Sequence, residues 1–566
     1  MTQEQVKSGN LTPAIHSNEK VTVIIPAAAS ASEKDGDRRE RLRSNHAFLN
    51  VGTKLAIERI CNFFADKPQV EIILGVTSPG KKIFGLKPFE NTKIVGVGAT
   101  SSACETIQRL LDHANGEWCL INPITAVPAT HLSIEGAIYF GQNQIPKEDW
   151  ASITLRSVGK PIFHGKQEVD SFGLPSFPFT GRIFAKKKQI LTALTGLATE
   201  QRTDLVYLAK SLFEAGHTAI RYERWLDAGH EATYADSKLL AISSRFFNNI
   251  VYDKTRNSIR KRSELKEKVK LEGRFFAECP PSVKRYFPLV LDSSDKGTYW
   301  ELELEYIGYP SLAEVFLYGN VGLNSWRRII ETLSCAFDAF YSCKSLKTEN
   351  AAWLYSKKTE KRQQALEAIL GNPRYHFLRD LYKHRYRVNG VDLPSLKEGF
   401  DLLAIELGQI EKVRPLHIGH GDLCFNNILV DPVYGSLKLI DPKAEVDVET
   451  GRCGLMDSLY DLAKLNHSFF GLYDAVVNNL YSLEQVQSLD FKMSIYVPPD
   501  YEYVSRLFLD SFLLERIDER TCAVVTSNLF LSMLPLHLED PQRMLALATV
   551  GLTLLSCNSI KKLHLG

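Results

Sequence analysis

The sequence predicts an α/β domain with a mainly parallel sheet, followed by a two-lobed α+β region. From Val21 to Tyr234, short β-branched runs alternate with amphipathic stretches of helix length, and this alternation is typical of a parallel sheet covered by helices. Between residues 249 and 310 the pattern becomes short strands around one helix. After Pro310 the apolar periodicity is mostly helical, which predicts a second and larger lobe.

The chain length agrees with several separate cores. At 566 residues the protein exceeds the size that a single hydrophobic core supports. We expect five segments, namely a polar tail at 1–20, the α/β domain at 21–235, a charged helical connector at 236–248, a small lobe at 249–310 and a large, mostly helical lobe at 311–566.

The composition indicates a small-molecule partner rather than nucleic acid. Lysine and arginine total 68 against 66 aspartates and glutamates, so the net charge of +2 offers no strong attraction for a polyanion. The ten cysteines include no C-x-x-C pair, which argues against a zinc ribbon or a disulfide framework. The N-terminal stretch is polar, and no segment offers about eighteen uninterrupted apolar residues. We therefore expect a cytoplasmic protein without a membrane span.

Each run of the pattern in the α/β domain predicts one element, since short β-branched runs favour strands and a 3.6-residue apolar period favours helices. The strand-like runs are VTVIIPA, VEIILGVTS, TKIVGVG, EWCLINPI and ASITLRS. The helix-like runs are LAIERICNFFAD and SACETIQRLLDHA. TGRIFAKKKQILTAL predicts a strand that continues into a helix, and AIRYERWLDAG closes the domain.

The small lobe has its own short succession of elements. NIVYDKTRNSIRKRS predicts two short strands around a polar turn, and ELKEKVKLEGRFFAE predicts a helix. YFPLVLDSSDKGTYWELELEYIG predicts a β-hairpin. The connector ADSKLLAISSRFFNN, which precedes them, predicts a helix.

The stretch HGDLCFNNILVDPVYGSLKLIDPK, within the large lobe, combines a predicted hairpin with polar residues at its ends. NILV and LKLI are apolar runs, and the Pro and Gly of DPVYGS between them favour a reversal of the chain.

The polar residues of this stretch suit phosphoryl transfer. His420, Asp422 and Asn427 form the pattern H-x-D-x-x-x-x-N, and Asp441 follows the second strand. If the strands pair, Asn427 and Asp441 lie at the same end of the hairpin, where two hard oxygen ligands suit Mg²⁺. The further carboxylate of Asp422 can accept a proton from an attacking hydroxyl.

Two alternatives remain for these residues. An aspartate before a strand is more often a turn former than a catalyst. His417 and His420 have a spacing that also occurs in zinc sites, although no third ligand is evident nearby.

HGDLCFNNIL followed by LKLIDPK resembles the catalytic loop and metal-binding aspartate of the aminoglycoside phosphotransferase and choline kinase group, which have a protein-kinase-like fold. The resemblance covers residue 249 to the C-terminus. It implies ATP as co-substrate, Asp422 as catalytic base, Asn427 and Asp441 as Mg²⁺ ligands, and His420 as a support of the loop. MDSLYDLAKL resembles the following helix of that group, which implies that Asp461 anchors the loop.

The same resemblance implies a lysine and a glutamate in the small lobe that serve the nucleotide phosphates. SIRKRS predicts a strand in which Lys261 and Ile259 share a face, and the family pattern favours Lys261 with Glu272 as its ion-pair partner. The segment is rich in charges that could equally form a solvated helix face. The competing residues are Arg260, Arg262, Glu264 and Glu267.

ELELEYIG resembles the strand and hinge on which adenine rests in these kinases. The resemblance implies that backbone groups of Glu305, Tyr306 and Ile307 bind the nucleotide. Before Lys261 the sequence reads DKTRNS, so this chain departs from kinases that carry a glycine-rich phosphate loop there.

Three stretches of the N-terminal domain stand out together, namely VTVIIPAAASASEKDGDRRERLRSNHAFLNVGTKLAIERI, FTGRIFAKKKQIL and RWLDAGHEATY. They resemble the sugar-nucleotide nucleotidyltransferases, which implies a Rossmann-like domain of the GT-A type. Of the residues that such enzymes use, only the late aspartate Asp227 and the arginines of RRERLR remain, namely Arg38, Arg39, Arg41 and Arg43. Arg38, Arg39 and Asp227 are a candidate ligand site for an anion, although the arginine cluster could equally be a solvated loop.

This domain departs from the family pattern at three places. AAASA stands where the family has glycines that let backbone amides approach a triphosphate. Asn45 lies nearest the place expected for a lysine, and LINPITAVP has no carboxylate where the family has a metal-binding aspartate. We therefore expect a structural or ligand-binding domain without catalysis.

The function that these features favour is an ATP- and Mg²⁺-dependent kinase acting on a hydroxyl of a sugar or amino alcohol. The order of the two resembled families suggests surface-polysaccharide precursor metabolism. The alternatives are a sugar-phosphate nucleotidyltransferase acting through the N-terminal domain, and a non-catalytic scaffold. Glu445, Asp447 and Glu449 could hold a cationic acceptor, or could belong to a solvated loop.

Overall fold

The computed structural model describes residues 20–26, 50–51, 54–65, 67, 69–76, 92–98, 100–128, 137–141, 151–154, 160–165, 176–221, 225–227, 249–253, 255–318, 321–411, 413–444, 453–498, 500–513, 515–538 and 540–557. The described residues form two compact units, 20–227 and 249–557. The predicted connector at 236–248 lies outside the described residues. Within the described ranges, no helix is both long enough and apolar enough to cross a membrane.

A nine-stranded sheet forms the centre of the first unit. Seven strands follow one another in the hydrogen-bonded order Ile162–His164, Ser152–Thr154, Ser176–Lys186, Trp118–Ile121, Val21–Pro26, Val70–Val76 and Thr92–Gly96. Two more strands extend it, since Ala137–Phe140 pairs with Ser176–Lys186, and Thr218–Arg221 pairs with Ala137–Phe140.

The directions of these strands make the sheet mixed. Val21–Pro26 runs parallel to both Val70–Val76 and Trp118–Ile121, and Val70–Val76 runs parallel to Thr92–Gly96. The long strand Ser176–Lys186 runs antiparallel to its neighbours. The predicted α/β class is confirmed, but the sheet is less uniformly parallel than expected because this long strand reverses the chain direction.

The helices of the first unit bury one face in a shared core. In the helix Ala103–Leu111, Ile107 and Leu110 are fully buried and belong to the same apolar cluster as Ile24 and Ile121 of the sheet. The remaining helices are Ala56–Ala65, Lys187–Gly196, the 3₁₀ turn Thr199–Thr203 and Leu205–Glu214. The short strands outside the main sheet are Asn50–Val51, Lys54–Leu55, Ala126–Pro128 and Trp225–Asp227.

The second unit begins with a four-stranded antiparallel sheet and one helix. The order of the strands is Asn249–Asp253, Ser258–Ser263, Trp300–Glu305 and Val290–Asp295. The helix Lys266–Glu278 packs on this sheet at Gly273, where an added Cβ would lie only 2.7 Å from the Ser293 hydroxyl. These are the strands, helix and hairpin that the sequence predicts for this segment.

The rest of the second unit is built around buried helices. Glu519–Ser532 and Pro541–Cys557 pack together and are buried over most of their length, and the first helix also buries polar side chains such as those of Thr526 and Asn528. The other α-helices are Pro281–Lys284, Leu312–Tyr318, Leu323–Ser342, Ser356–Ile369, His376–Lys383, Leu396–Ile410, Ser458–Phe469, Tyr473–Val477 and Tyr501–Phe508. The shorter turns are Ala351–Trp353, Pro373–Tyr375, Phe425–Asn427 and Leu534–Leu536, all 3₁₀, and the π-helical Leu509–Leu513. The predicted class of this region, α+β, is confirmed.

Two further sheets in this part were not anticipated from the sequence. One contains, in order, Val391–Leu393, Tyr386–Val388, Asp490–Ile495 and Tyr481–Gln487. The other contains Lys344–Asn350, Val413–Ile418 and Leu455–Met456. Two of these pairings are local hairpins, Tyr386–Val388 with Val391–Leu393 and Tyr481–Gln487 with Asp490–Ile495, and the Asn-Gly turn of the first was a signal available in the sequence. The other pairings join segments far apart in the chain, which local periodicity does not reveal.

Candidate active site

A short hairpin forms the centre of the candidate site. Its strands Ile428–Val430 and Leu437–Leu439 pair antiparallel. Directly beyond the pair, the N–H of Ile440 donates to the carbonyl oxygen of Asn427 at 3.0 Å. Because Asp441 follows Ile440, Asn427 and Asp441 lie at the same end of the hairpin.

Asp461 fixes the loop that leads into the hairpin. It lies in the first turn of the helix Ser458–Phe469 and is buried. Its Oδ2 accepts the N–H of His420 at 2.7 Å, and its Oδ1 accepts the N–H of Gly421 at 2.8 Å. Burial raises the pKa of Asp461 to about 6, against the lowering effect of these two amides. Both carboxylate oxygens therefore bind loop backbone.

Gly421 allows this loop to turn tightly. Its φ of +76° lies in the left-handed region that favours glycine. An added Cβ would lie 2.5 Å from Cε of Met456 and 2.8 Å from Cβ of Lys443. The close approach leaves room only for a residue without a side chain.

His420 is buried beneath the same loop and stacks on Phe287, with ring centroids 6.0 Å apart. Its Nδ1 accepts the N–H of Asp422 at 3.2 Å, and its Nε2 lies 3.0 Å from the carbonyl oxygen of Ile440, to which it donates. A ring that accepts at one nitrogen and donates at the other is neutral. Burial lowers the pKa of His420 to about 4, in agreement with a neutral ring at pH 7.

Asp422 is held from two sides. Its Oδ1 lies 3.0 Å from Nζ of Lys464, and its main-chain carbonyl accepts Nδ2 of Asn427 at 2.8 Å. Burial alone would raise the pKa of Asp422, but the charges of Lys464 and Lys443 outweigh burial and hold the pKa well below its usual range. The carboxylate is therefore ionised at neutral pH, and 36% of the side chain remains exposed.

Lys261 joins the small sheet to the hairpin. Its Nζ lies 2.6 Å from Oε2 of Glu272 and also forms an ion pair with Asp441. Lys261 and Glu272 are both buried, whereas 48% of the Asp441 side chain is exposed. Burial opposes the charge of Lys261, but the two carboxylates outweigh it and raise its pKa above the ordinary lysine value.

The charged neighbours of Lys261 face other partners. Arg260 forms an ion pair with Asp253, and Arg262 pairs with Glu301 at 2.6 Å. Only Lys261 among these three cations is on the buried face of the strand. The competing acids, Glu264 and Glu267, are both exposed.

The chemistry of Asn427 and Asp441 fits a magnesium ion. An amide oxygen and a carboxylate are hard donors, and Mg²⁺ in phosphoryl-transfer sites commonly takes only one or two protein ligands and completes its shell with water and substrate phosphates. Asn427 uses its amide nitrogen to hold Asp422, which leaves its amide oxygen as a ligand. Asp441 has a φ of +56° and an exposed carboxylate.

The geometry gives no support to the zinc alternative. In the described part of the chain, no three or more side chains of His, Cys, Asp or Glu lie close enough together to hold a metal ion. Both ring nitrogens of His420 are engaged with the backbone. His417 stacks on Tyr341, whose carbonyl oxygen lies 2.8 Å from its Nδ1.

The segment predicted as the adenine hinge follows the last strand of the small sheet. The N–H of Glu305 donates to the carbonyl of Leu289 at 2.9 Å, and the N–H of Tyr306 donates to the carbonyl of Asn257 at 3.0 Å. These two amides already donate hydrogen bonds within the small sheet. Among the three predicted residues, the amide of Ile307 is therefore the candidate donor for a nucleotide base.

Three lysines and a tyrosine near Asp422 were not anticipated from the sequence. Lys464 contacts Asp422 directly, and Lys358 and Lys443 contact the ring of Tyr460. Lys464 follows Asp461 by three residues on one helix, and this spacing places both on the same face. That signal was available in the sequence, whereas the approach of Lys358 depends on the tertiary fold.

The candidate site of the first unit is only partly described. Arg38 and Arg39 lie outside the described residues, as do Glu445, Asp447 and Glu449 of the second unit. The backbone of Asp227 pairs with Ala126.

Asn122 stands at the end of the strand Trp118–Ile121, where LINPITAVP lacks the carboxylate of the resembled family. It is buried, and its amide nitrogen donates to the carbonyls of Pro123 at 2.9 Å and Ala126 at 3.2 Å. The amide group at this position therefore holds the local turn.

The sequence matches no protein-family model and no curated protein. Solved structures align with it in two groups. One includes 2-C-methyl-D-erythritol 4-phosphate cytidylyltransferase from Thermus thermophilus, at 17% identity and a TM-score of 0.22 over 40% of this chain and 98% of that one. It also includes UTP-bound UGPase from Acinetobacter baumannii, at 11% identity and a TM-score of 0.31 over 40% of this chain and 95% of that one.

The second group includes a thermostable mutant of aminoglycoside phosphotransferase APH(4)-Ia in a ternary complex with AMP-PNP and hygromycin B. It aligns at 12% identity and a TM-score of 0.33, over 55% of this chain and 88% of that one. The two groups are those that the sequence motifs resemble.

Proposed function

We propose that the second unit is an ATP- and Mg²⁺-dependent phosphotransferase that phosphorylates a hydroxyl group of a small molecule. The observation that carries the proposal is the set of residues brought together around Asp441. This carboxylate shares the hairpin end with Asn427, lies close to the loop of Asp422, and pairs with the buried Lys261, itself held by Glu272. A base, two metal ligands and a phosphate-binding cation in this arrangement are the parts that phosphoryl transfer needs.

Each residue has a distinct role in the proposed reaction. The acceptor hydroxyl attacks the γ-phosphorus of ATP and gives its proton to Asp422 while the new O–P bond forms. The bond between the γ-phosphorus and the bridging oxygen breaks, and ADP leaves with the electron pair. Lys261 binds the nucleotide phosphates, and Glu272 keeps its ammonium in place.

Asn427 and Asp441 are the residues that would hold Mg²⁺. There the ion would neutralise charge on the phosphates, as in other phosphoryl-transfer sites. Lys464 acts through Asp422, because it contacts one oxygen of that carboxylate and restrains its orientation.

For the first unit, the buried amide of Asn122 supports a binding or structural role. An amide nitrogen that donates to two backbone carbonyls cannot supply the negative charge of a metal-binding carboxylate. Because the two units follow the same order as the two resembled families, we also propose a cytoplasmic role in surface-polysaccharide precursor metabolism.

A panel of acceptors tests the kinase proposal. The full chain is incubated with ATP, Mg²⁺ and sugars, glycerol, choline or ethanolamine, together with phosphorylated and carboxylated alcohols, and is followed by phosphorus NMR. We expect a new phosphate ester and ADP in equal amounts. The absence of any ester, together with the absence of Mg²⁺-dependent ATP binding, would show that the site is not a kinase site and favour a scaffold.

A further inference from the structure

Three lysines converge on one buried tyrosine beside Asp422. Nζ of Lys358 donates to the hydroxyl of Tyr460 and lies 4.6 Å from the centre of its ring. Nζ of Lys443 lies 5.7 Å from the same ring centre. Lys464, one helical turn after Tyr460, reaches Asp422 at 3.0 Å.

Only one of the three lysines forms an ion pair with a carboxylate in the described part of the chain. Lys464 is matched by Asp422, while Asp441 is matched by Lys261. Asp461, also close by, gives both of its oxygens to loop backbone.

Lys358 and Lys443 form no ion pair with any carboxylate in the described ranges. Each instead contacts the uncharged ring of Tyr460. These two ammonium groups thus have no carboxylate in direct contact within the described ranges, although they lie in a partly buried place where a charge without a direct partner is costly.

The pKa shifts agree with three positive charges close to Tyr460. Burial alone would raise the pKa of Tyr460, but the three lysines outweigh burial and lower it. Burial also lowers the pKa of Lys358, and the neighbouring charges of Lys443 and Lys464 lower it further, against the effect of Tyr460.

The position of the cluster assigns it to the acceptor side of the site. A base must lie within hydrogen-bond reach of the hydroxyl that it deprotonates, so the groups around Asp422 face the acceptor. The nucleotide phosphates have their own cation, Lys261, which is held by Glu272 on the small sheet.

We propose that the acceptor carries a phosphate or carboxylate group in addition to the hydroxyl that is phosphorylated, and that Lys358 and Lys443 bind this anionic group. The inference rests on the proposed kinase function and narrows its substrate class. A cationic acceptor such as an amino alcohol would meet like charges here and is disfavoured.

The binding test uses inorganic phosphate as the probe and needs no turnover. Phosphate is titrated calorimetrically into the full chain and into Lys358→Gln, which removes the charge but keeps a hydrogen-bond donor for Tyr460. We expect the Kd to rise about tenfold or more, the typical cost of a lost charge-assisted hydrogen bond. The matched control is Lys361→Gln, an exposed lysine on the same helix, which should leave Kd unchanged.

The kinetic test compares glycerol, glycerol 3-phosphate, glycerate and ethanolamine, with the equivalent series built on glucose, each with ATP and Mg²⁺. We expect the anionic members to have the higher kcat/KM, and Lys358→Gln to raise their KM about tenfold without changing the KM for ATP. A comparison of kcat/KM for glycerol 3-phosphate and for glycerate shows whether the site prefers a phosphate or a carboxylate.

The outcomes separate this inference from the kinase proposal. Phosphate binding that Lys358→Gln leaves unchanged, or a preference for neutral or cationic acceptors, overturns the anionic acceptor while the kinase proposal stands. Lysine-dependent phosphate binding without transfer to any acceptor counts against the kinase proposal and leaves the anion site standing. A circular dichroism melt of each variant identifies any loss of folding.

Discussion

Lys464 holds Asp422 through an ion pair in which Nζ lies 3.0 Å from Oδ1. Lys464 is mostly buried, with 13% of its side chain exposed, whereas 36% of the Asp422 side chain faces solvent. The lysine is thus part of the structure behind the candidate base. The other oxygen of Asp422, which lies 3.4 Å from Nδ2 of Asn427, is the one that we expect to meet an acceptor.

Substitution of Lys464 should impair turnover more than nucleotide binding. We expect Lys464→Met to lower kcat about ten- to hundredfold, because a misplaced catalytic group loses its alignment. The acid limb of the pH–rate profile should move to higher pH, since Lys464 is the main charge that lowers the pKa of Asp422. Steady-state kinetics from pH 4.5 to 8 provide the measurement.

The exposed helical Lys397→Met is the control for that experiment. A Lys464→Met enzyme with the wild-type kcat and pH profile would show that the ion pair has no part in turnover. The Kd for ATP, measured by calorimetry, should stay within about twofold of wild type because Lys464 does not lie on the nucleotide side.

Lys261 and Glu272 should be energetically coupled. Lys261→Met leaves Glu272 buried without its cation and should cost about 3 kcal/mol in the free energy of unfolding. Glu272→Leu should cost less, because Lys261 keeps Asp441 as a partner. The stability lost in the double variant should be smaller than the sum of the two single losses by about 1 kcal/mol or more, as measured by urea unfolding.

The exposed pair Lys270 and Glu267 on the same helix is the matched control for this cycle. Its coupling should not exceed about 0.5 kcal/mol. Additive losses at Lys261 and Glu272 would show that the close pair in the structure contributes nothing to stability.

Gly421 should tolerate alanine worse than another glycine of similar conformation. Gly390 has a φ of +80° with no atom near the position of an added Cβ, whereas Gly421 has both a positive φ and close neighbours. Gly390→Ala should cost about 1 kcal/mol from backbone conformation alone, and Gly421→Ala about 3 kcal/mol, since overpacking adds to that.

Urea unfolding of both alanine variants measures this difference. Turnover should fall in Gly421→Ala and stay unchanged in Gly390→Ala, because only the first lies in the loop before Asp422. Equal losses of stability would mean that the loop is not as tightly packed as the contacts with Met456 and Lys443 indicate.

His420 should make stability depend on pH. Burial lowers its pKa from 6.5 to about 4, so between these values the unfolded chain binds a proton that the folded chain does not. Its contribution to stability is therefore complete above pH 6.5 and decreases as the pH falls towards 4, by about 3 kcal/mol in total.

The variant His420→Asn removes this pH-dependent contribution to the free energy of unfolding. The wild type should be more stable than the variant at pH 7.5. The difference between their free energies of unfolding should decrease by about 3 kcal/mol when urea unfolding is repeated near pH 4. Asp461, whose pKa is raised by burial, is present in both proteins. A difference that does not change with pH would contradict a buried neutral His420, and the exposed His384→Asn serves as control for a lost histidine.

Local sequence patterns predicted the parts of the site that are close together in the chain. The hairpin of NILV and LKLI was predictable because both strands and their turn lie within a few residues. The pairing of Lys261 with Glu272 also joins neighbouring elements, a strand and the helix after it. The resemblance to a known motif then indicated which of several charges to choose.

Other features depended on contacts that no local pattern records. The strand Tyr386–Val388 pairs with Asp490–Ile495, about a hundred residues further along the chain. Lys358 reaches Tyr460 across a similar separation. A lysine on an amphipathic helix ordinarily faces solvent, so the burial of Lys464 becomes evident only when the helix is packed against the loop of Asp422.

The turnover of Asp422→Asn is the most direct test of the central claim. With the acceptor that reacts fastest, we expect kcat to fall by about 10²- to 10⁴-fold, because the base accepts a proton only during reaction. The Kd for ATP should stay within about twofold of wild type. The matched Asp431→Asn, in the turn of the same hairpin, where Asp431 accepts the N–H of Val433 at 2.8 Å, should keep full activity. An Asp422→Asn protein with the wild-type kcat would contradict phosphoryl transfer at this site.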